Sequence, residues 1–484
     1  MMQVLVIAAV VAMNAAGQSP AAWLALPAAW VALLTLVPPW MVWGLSHAVC
    51  AVAGRGIDRT GNARLVILAD RVSMTSRAFS CLWLGGTALT LGWIAQAGSA
   101  MGSHLLAVVA GAGLLSALLA ASWWSYAGID RRLREAAMMR HLDEGRPIFR
   151  HPGPAGFALA RLRESALMFL VPVLLLLAIS SGLAWATGAL RAGAEAGAAW
   201  AAWVPAWALD TGSVLNLDTV LQTAGFIAAL ALMPAVQRRI WDTVRLEHGP
   251  LLGLINDLLA TARVRLRRIM VWRTRGLTAN AAVLGVVPRF RYMIFTDALL
   301  EGMSADEVGA VAAHEIGHVK HHHIPWLLAG MGAVLLLIGE IAARWAVASG
   351  MGDGAAELVA LGAALAIGLP VMGWISRRFE WQADAFAASL LSRVREQQGA
   401  PEARGVIDEA SARLVAQALL RVARLNGADP AARSWRHGSI NLRRRKAAAL
   451  AGVDRQHVPA DRAARAVKIG IVGVWVVLGV MIVV

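Results

Sequence analysis

Charge and cysteine are what this chain has least of. Only 15% of its 484 residues are Asp, Glu, Lys or Arg, against about a quarter in an ordinary soluble domain. That scarcity argues against a soluble globular protein. Cysteine occurs twice, at Cys50 and Cys81, in or beside apolar segments. Two such residues supply neither a disulfide framework nor a cysteine-based zinc knuckle, and they read as small buried apolar side chains. No repeat of fixed period is apparent, which sets solenoid and propeller architectures aside. Basic residues are also missing from particular loops. Residues 98–104 and 349–357 carry no Lys or Arg, and 191–218 carries only Arg191.

What is present is apolar and blocked. Hydrophobic residues make up 58% of the chain. They gather at about Met1–Ala16, Ala21–Cys50, Ala78–Ala97, Leu105–Tyr126, Ala166–Leu190, Thr219–Val236, Trp326–Ala348, Leu358–Ile375 and Val467–Val484. Most of these are long enough to cross a hydrocarbon core of about 30 Å as helices. The first has no basic n-region and makes a poor signal peptide. It reads as the first span of a tight hairpin turning through Gln18, Ser19 and Pro20. The expected class is therefore a mainly α, polytopic membrane protein with about eight or nine transmembrane helices. Trp40, Trp43, Trp123, Trp124 and Trp326 stand at segment ends, where interfacial anchors belong.

The net charge of +15 suggests nucleic acid at first sight, but its distribution points elsewhere. Loop 51–77 holds Arg55, Arg59, Arg64, Arg71 and Arg77, and loop 127–165 holds eight more arginines, from Arg131 to Arg163. Segments 237–325 and 376–466 hold most of the remainder. Basic loops alternate with loops nearly free of Lys and Arg, which is the positive-inside pattern and places the basic loops in the cytoplasm. No nucleic-acid recognition motif accompanies the charge, so no nucleic-acid partner is expected. The organisation that follows is an N-terminal transmembrane region (1–236), a first soluble segment (237–325), a two-span hairpin (326–375), a second soluble segment (376–466) and a last span (467–484).

The chemistry lies in the two soluble segments. "TANAAVLGVVPRFRYMIFTDALL" reads as two short strands with a turn near Pro288–Arg289. "MSADEVGAVAAHEIGHVKHHH" reads as a helix beginning at Ala305. Ser304 and Glu307 form a capping box, and Met303 and Val308 a hydrophobic staple. Pro325 should break or kink the helix before the apolar span. On it, His314 and His318 are four residues apart and share a face, with Glu315 between them. This is H-E-x-x-H: two imidazoles to grip one zinc ion and a carboxylate to act as general base. The plain alternative is a polar juxtamembrane helix with a histidine tract.

A catalytic zinc needs a third protein ligand and an open position. The hairpin returns the chain to its starting side of the membrane and delivers "SRRFEWQADAFAA", with Glu380 five residues past the span. Glu380 is therefore the expected third ligand. Asp384, one helical turn on, can orient a ligand imidazole. His321 and His322 are expected to be polar juxtamembrane residues and not ligands. Glu340 and Arg344, four apart near the outer end of a span, are expected to pair.

"AAHEIGHVKHHH", a helical hairpin and "SRRFEWQADAFAA" together resemble the HtpX-like and type I CAAX prenyl endopeptidase family of integral-membrane zinc metallopeptidases. The resemblance spans about Leu246 to Leu450. It implies a cytoplasmic zincin-like α+β catalytic domain of gluzincin type, built from the two soluble segments. It implies that Asn280 and Ala281, in "TANAAVLG", stand on a strand that pairs with the extended substrate backbone. It also implies that His437 and Arg443, in "RHGSINLRRRKAAAL", stabilise the oxyanion, although Arg444, Arg445 and Lys446 follow where the family has an apolar residue. The expected cofactor is one Zn²⁺ per chain, and the expected partners are membrane-associated polypeptides and the lipid bilayer. The Ala-, Arg- and Gly-rich composition suits a GC-rich bacterial genome. It thus favours quality control of membrane proteins at a bacterial inner membrane over processing of prenylated C-termini. A non-catalytic metal-binding scaffold or transporter is the competing class. It calls for a missing ligand or paired broken helices, and the sequence displays neither.

Overall fold

The computed structural model describes residues 2–16, 26–143, 152–199, 203–205, 217–276 and 278–483. The expected turn through Gln18, Ser19 and Pro20 lies outside the described residues. Backbone contacts divide the chain into two units, Met1–Trp241 and Asp242–Val484.

The first unit is helical: α1 (Met2–Ala16), α2 (Ala28–Thr60), α3 (Ala63–Leu91), α4 (Trp93–Met101), α5 (His104–Asp143), α6 (Gly153–Leu162), α7 (Met168–Glu195) and α8 (Leu217–Ile240). The chain bends by 75° between α3 and α4. Gly92 makes that bend with φ +64°, a left-handed conformation that glycine adopts without a Cβ penalty. In the second unit come β1 (Thr243–Arg245), α9 (Pro250–Ala262), β2 (Arg268–Trp272), β3 (Ala281–Leu284), β4 (Tyr292–Thr296) and α10 (Asp297–Gly302). There follow α11 (Ala305–Lys320), α12 (His323–Ala348), α13 (Asp353–Gln397), α14 (Glu409–Leu425), α15 (Ile440–Ala448) and α16 (Pro459–Val483).

Among the described residues six helices are long and apolar enough to cross a membrane, or seven if the bent α3–α4 pair is one span. Of the nine expected blocks, the first falls short and another is not a helix of its own. α1 has 15 residues, which rise only about 22 Å at 1.5 Å each. The Leu358–Ile375 block is not a separate apolar helix. It is part of α13, which has 45 residues and runs on without a break into the polar stretch that carries Glu380 and Asp384.

The sheet of the second unit has the order β1-β2-β4-β3, with β2 and β4 parallel and the other pairs antiparallel. β3 and β4 stand where the sequence suggested, with a 3₁₀ turn at Pro288–Phe290 between them. β1 and β2 carried too little alternation over three and five residues to be read. β4 is buried at every position. β3 is an edge strand, and α11 packs against it.

α11 begins as its sequence dictates. The Ser304 side chain accepts from Glu307 N, and the Glu307 carboxylate accepts from Ser304 N. Met303 and Val308 are both buried in one apolar cluster with the sheet and α13. The end of α11 differs from expectation. The helix stops at Lys320, His322 takes a left-handed φ of 55°, and α12 starts at His323. Pro325 does not make this break. It sits in the first turn of α12, where its missing N–H costs no intrahelical bond.

α11 crosses α13 at a glycine. A Cβ on Gly317 would lie 3.2 Å from Ala383 Cα and 3.1 Å from the Phe386 ring. Backbone on the far side cannot give way, so the glycine sets how closely the two helices approach. Gly317→Val should cost about 1–3 kcal/mol through overpacking. The check is a lowered thermal melting temperature in detergent relative to wild type, and an unchanged melting curve would show that the crossing is looser than described.

Candidate metal centre

Where α11 meets α13, four titratable side chains come together at successive turns. His314 and His318 stand four apart on α11, and Glu380 and Asp384 four apart on α13. His314 Nε2 is 3.7 Å from Glu380 Oε2, and His318 Nε2 is 3.8 Å from Glu380 Oε1. The two Nε2 atoms are 3.1 Å apart. One donor atom from each of His314, His318 and Glu380 lies within 4.8 Å of the other two.

The remaining ring nitrogens are engaged on their other sides. His314 Nδ1 is 2.9 Å from Asp384 Oδ1, and His318 Nδ1 is 2.8 Å from His323 Nδ1. If each Nδ1 carries the proton, both Nε2 lone pairs point at one another and at a carboxylate. Such a convergence is unfavourable unless a cation sits in it. Two imidazole nitrogens and a carboxylate are the donor set of a three-ligand zinc site with an open position. The residues present thus fit a zinc ion, held by His314, His318 and Glu380.

Charge around the donors is organised by Arg443. Its Nη1 is 2.8 Å from Glu380 Oε2. Its Nε and Nη2 bond the two Asp384 oxygens at 2.8 and 2.7 Å. Arg443 is only 5% exposed, Glu380 6% and Asp384 3%. Burial works to raise Asp384, but the Arg443 charge and its paired hydrogen bonds, with His314, hold the carboxyl down at about 2. Glu380 follows the same logic. Burial would raise it, yet Arg443, the His437 hydrogen bond and the two α11 histidines keep it well below the usual range. Burial and the charge of His314 bring His318 down to about 3, so its ring is neutral at neutral pH. Burial also works to lower His314, but Asp384 and Glu380 outweigh it and its pKa is raised.

Glu315 faces the other way, toward the sheet. Its Oε2 accepts from Val283 N at 3.2 Å. Burial, with Glu380 adding to it, pushes Glu315 up to about 7 against the opposing pull of His314 and the Val283 amide. That is the range where a carboxylate exchanges protons most readily at neutral pH.

β3 brings Asn280 and Ala281 to the same edge. Asn280 is exposed, and its N and O both bond Thr296 across the β3–β4 pair. Pairing alternates along an antiparallel strand, so Ala282 and Leu284 turn their backbone groups toward β4. Ala281 and Val283 turn theirs outward, which is why Val283 N reaches Glu315.

His437 is half-exposed and its Nδ1 lies 2.9 Å from Glu380 Oε1. Of the three consecutive arginines, Arg443 is the one buried against the site. All three of its nitrogens are committed to Glu380 and Asp384, a placement that suits holding carboxylates more than meeting an oxyanion. Glu340 and Arg344 pair at 2.6 Å, as expected. Of the residues near the donors, His323 and Gln382 escaped the sequence reading. The signal was there in the third histidine of the tract, but its position depends on the helix break at His322.

Residues 249–404 match Peptidase family M48. The chain is 30% identical over 219 residues to the Protease HtpX of Pseudomonas putida and to that of Pseudomonas entomophila, covering 40% of this chain and 74% of each relative. To the Protease HtpX of Pseudomonas aeruginosa it is 30% identical over 216 residues, 39% of this chain and 74% of that one. The crystal structure of S. mikatae Ste24p aligns at 15% identity with a TM-score of 0.38, over 86% of this chain and 98% of that one.

Removing Arg443 takes from two buried carboxylates the guanidinium that both of them bond. Arg443→Ala should cost about 3–5 kcal/mol, with Arg443→Lys recovering only part because an ammonium cannot bond bidentately. Thermal melting of the metal-free protein checks this. Acid acts on the same group. Asp384 is depressed below the ordinary value of about 4, so its stabilisation is complete above that pH and is lost as pH falls toward about 2.

Proposed function

The chain belongs to peptidase family M48, and from that premise we propose that it is a membrane-embedded, zinc-dependent endopeptidase. The observation that carries this reading is the convergence of His314, His318 and Glu380 within 4.8 Å, beside Glu315 and an open sheet edge. A zinc ion held by those three side chains would supply Lewis acidity, polarising a peptide carbonyl and lowering the pKa of a coordinated water.

The protein's own residues do the rest. The outward backbone groups of Ala281 and Val283 accept an extended substrate strand once Asn280 Oδ1 and Glu315 Oε2 release their N–H groups. Glu315 takes the proton of the attacking water and passes it to the leaving amine. Its elevated pKa, about 7, suits both halves of that transfer. Asp384 holds His314 through Nδ1, and Arg443 fixes Glu380 and Asp384 in place. His437, half-exposed beside Glu380, is positioned to donate to the developing oxyanion.

We place the site at the cytoplasmic face of a bacterial inner membrane, on the strength of the basic loops 51–77 and 127–165. Two segments build the catalytic domain, 237–325 and 376–466, joined by the hairpin 326–375. Its substrates are taken to be membrane-associated polypeptides in quality control. Cleavage of a farnesylated CAAX peptide, with misfolded membrane proteins left intact, would favour C-terminal processing instead.

The decisive comparison is between wild type and Glu315→Gln, both purified in detergent. Both should bind one zinc per chain. Only the wild type should cleave casein or itself, with the variant reduced by at least about 100-fold. Zinc binding without cleavage by wild type would favour a scaffold, and a wild type without zinc would undo the ligand assignment.

A further inference from the structure

His318 can hold a metal ion through Nε2 only if the proton sits on Nδ1. Nothing within the imidazole itself enforces that choice, because the two tautomers of a neutral ring are close in energy and the surroundings decide. A ligand histidine usually gives its other N–H to a carboxylate, a backbone carbonyl or water. Here the partner is another histidine, which can donate or accept, and the question passes outward to whatever holds His323.

His323 is completely buried. The left-handed turn at His322 swings it back beneath His318, with ring centroids 4.8 Å apart, and it stacks on Phe379 with parallel planes and centroids 4.5 Å apart. Its Nδ1 lies 2.8 Å from His318 Nδ1 and its Nε2 2.9 Å from Gln382 Oε1. The far end of Gln382 settles the direction. Gln382 Nε2 donates to Asp461 Oδ1 at 2.6 Å. A carboxylate only accepts, so the amide must turn its NH₂ toward Asp461 and its oxygen toward His323. The reversed amide would set two oxygens against each other at that distance.

Each link then follows from the one before. Gln382 Oε1 accepts, so His323 Nε2 carries the proton. Neutral His323 therefore presents a bare Nδ1. His318 Nδ1–H donates into it, and the His318 Nε2 lone pair is left facing His314 and Glu380. We infer that Asp461, Gln382 and His323 are positioning residues that fix the tautomer of His318 for metal binding. The chain runs from the first turn of α16, through α13 and the start of α12, to the metal face of α11. It rests on the ligand assignment proposed above, and none of its three members touches the metal position.

The test measures zinc affinity of the full-length protein in detergent by competition with a chromophoric chelator. His323→Phe keeps the stack on Phe379 but offers no acceptor, and it should weaken zinc binding about 10–100-fold. His323→Asn returns an acceptor, Oδ1, at the place of His323 Nδ1 and should restore most of the loss. Gln382→Leu, which frees His323 to reverse, should also weaken binding, and it stands in if His323→Phe does not fold. Affinity unchanged in His323→Phe or in Gln382→Leu would overturn the relay. So would a His323→Asn protein as weak as His323→Phe, because the missing acceptor would then not explain the effect. A wild type that binds no zinc would instead sink the ligand assignment itself, and the relay with it.

Discussion

Glu380 and Asp384, buried one helical turn apart, would repel each other strongly enough for one to take up a proton were it not for the guanidinium between them. Arg443 gives the largest help in keeping both anions charged at a buried place, with His314 and His437 adding to it. The paired bonds to Asp384 leave that carboxylate free to orient His314, and the single bond to Glu380 leaves the latter's other oxygen for His437 or a metal. Without the arginine the donor set loses its charge, and with it the electrostatic reason for α11 and α13 to stay in contact. The small residues at the crossing, Gly317 against Ala383, let the helices come close enough for the charges to matter.

Much of this was legible in the chain itself. The capping box at Ser304 and Glu307 fixes where α11 begins, and with it the shared face of His314 and His318 and the neighbouring one of Glu315. Glu380 was reachable because a two-span hairpin has to return to its starting side. β3 and β4 were legible from apolar residues on either side of Pro288. Other features were not. β1 and β2 are too short for a pattern to register. Proline is the strongest helix breaker in the stretch, which points to Pro325 as the end of α11, yet the turn falls at His322, whose left-handed backbone carries no sequence signal. His323 could not be found for the same reason: on a continuous helix it would have pointed away from His318. The pairing of Arg443 with Glu380 and Asp384 is not legible, since nothing local tells an arginine that it will meet two carboxylates from a helix about sixty residues upstream.

The second unit joins its metal face to a helix apolar enough to span a membrane. Asp461 belongs to the first turn of α16, and through Gln382 and His323 it reaches a ring four residues from the start of H-E-x-x-H. Lys468, also on α16, donates to the carbonyl of His321 beside the same turn. The last helix is thus tied to the site by specific hydrogen bonds in addition to the apolar packing of Ile471 and Val467 against Ile375 and Phe379. A hydrophobic segment that merely anchored the chain would need only that packing.

On the outward side of β3 the Ala281 and Val283 N–H groups are held by Asn280 Oδ1 and Glu315 Oε2; a strand that displaced those side chains would meet backbone groups that are the same in every polypeptide. An edge of this kind cannot read side chains. What it can distinguish is whether a chain's own amides are already spoken for. A helix or a paired strand has none to spare, whereas a segment that has lost its fold, or never acquired one, has them all. On the proposed strand-addition reading, Ala281 and Val283 would sort proteins by conformational state before any pocket sorted them by sequence.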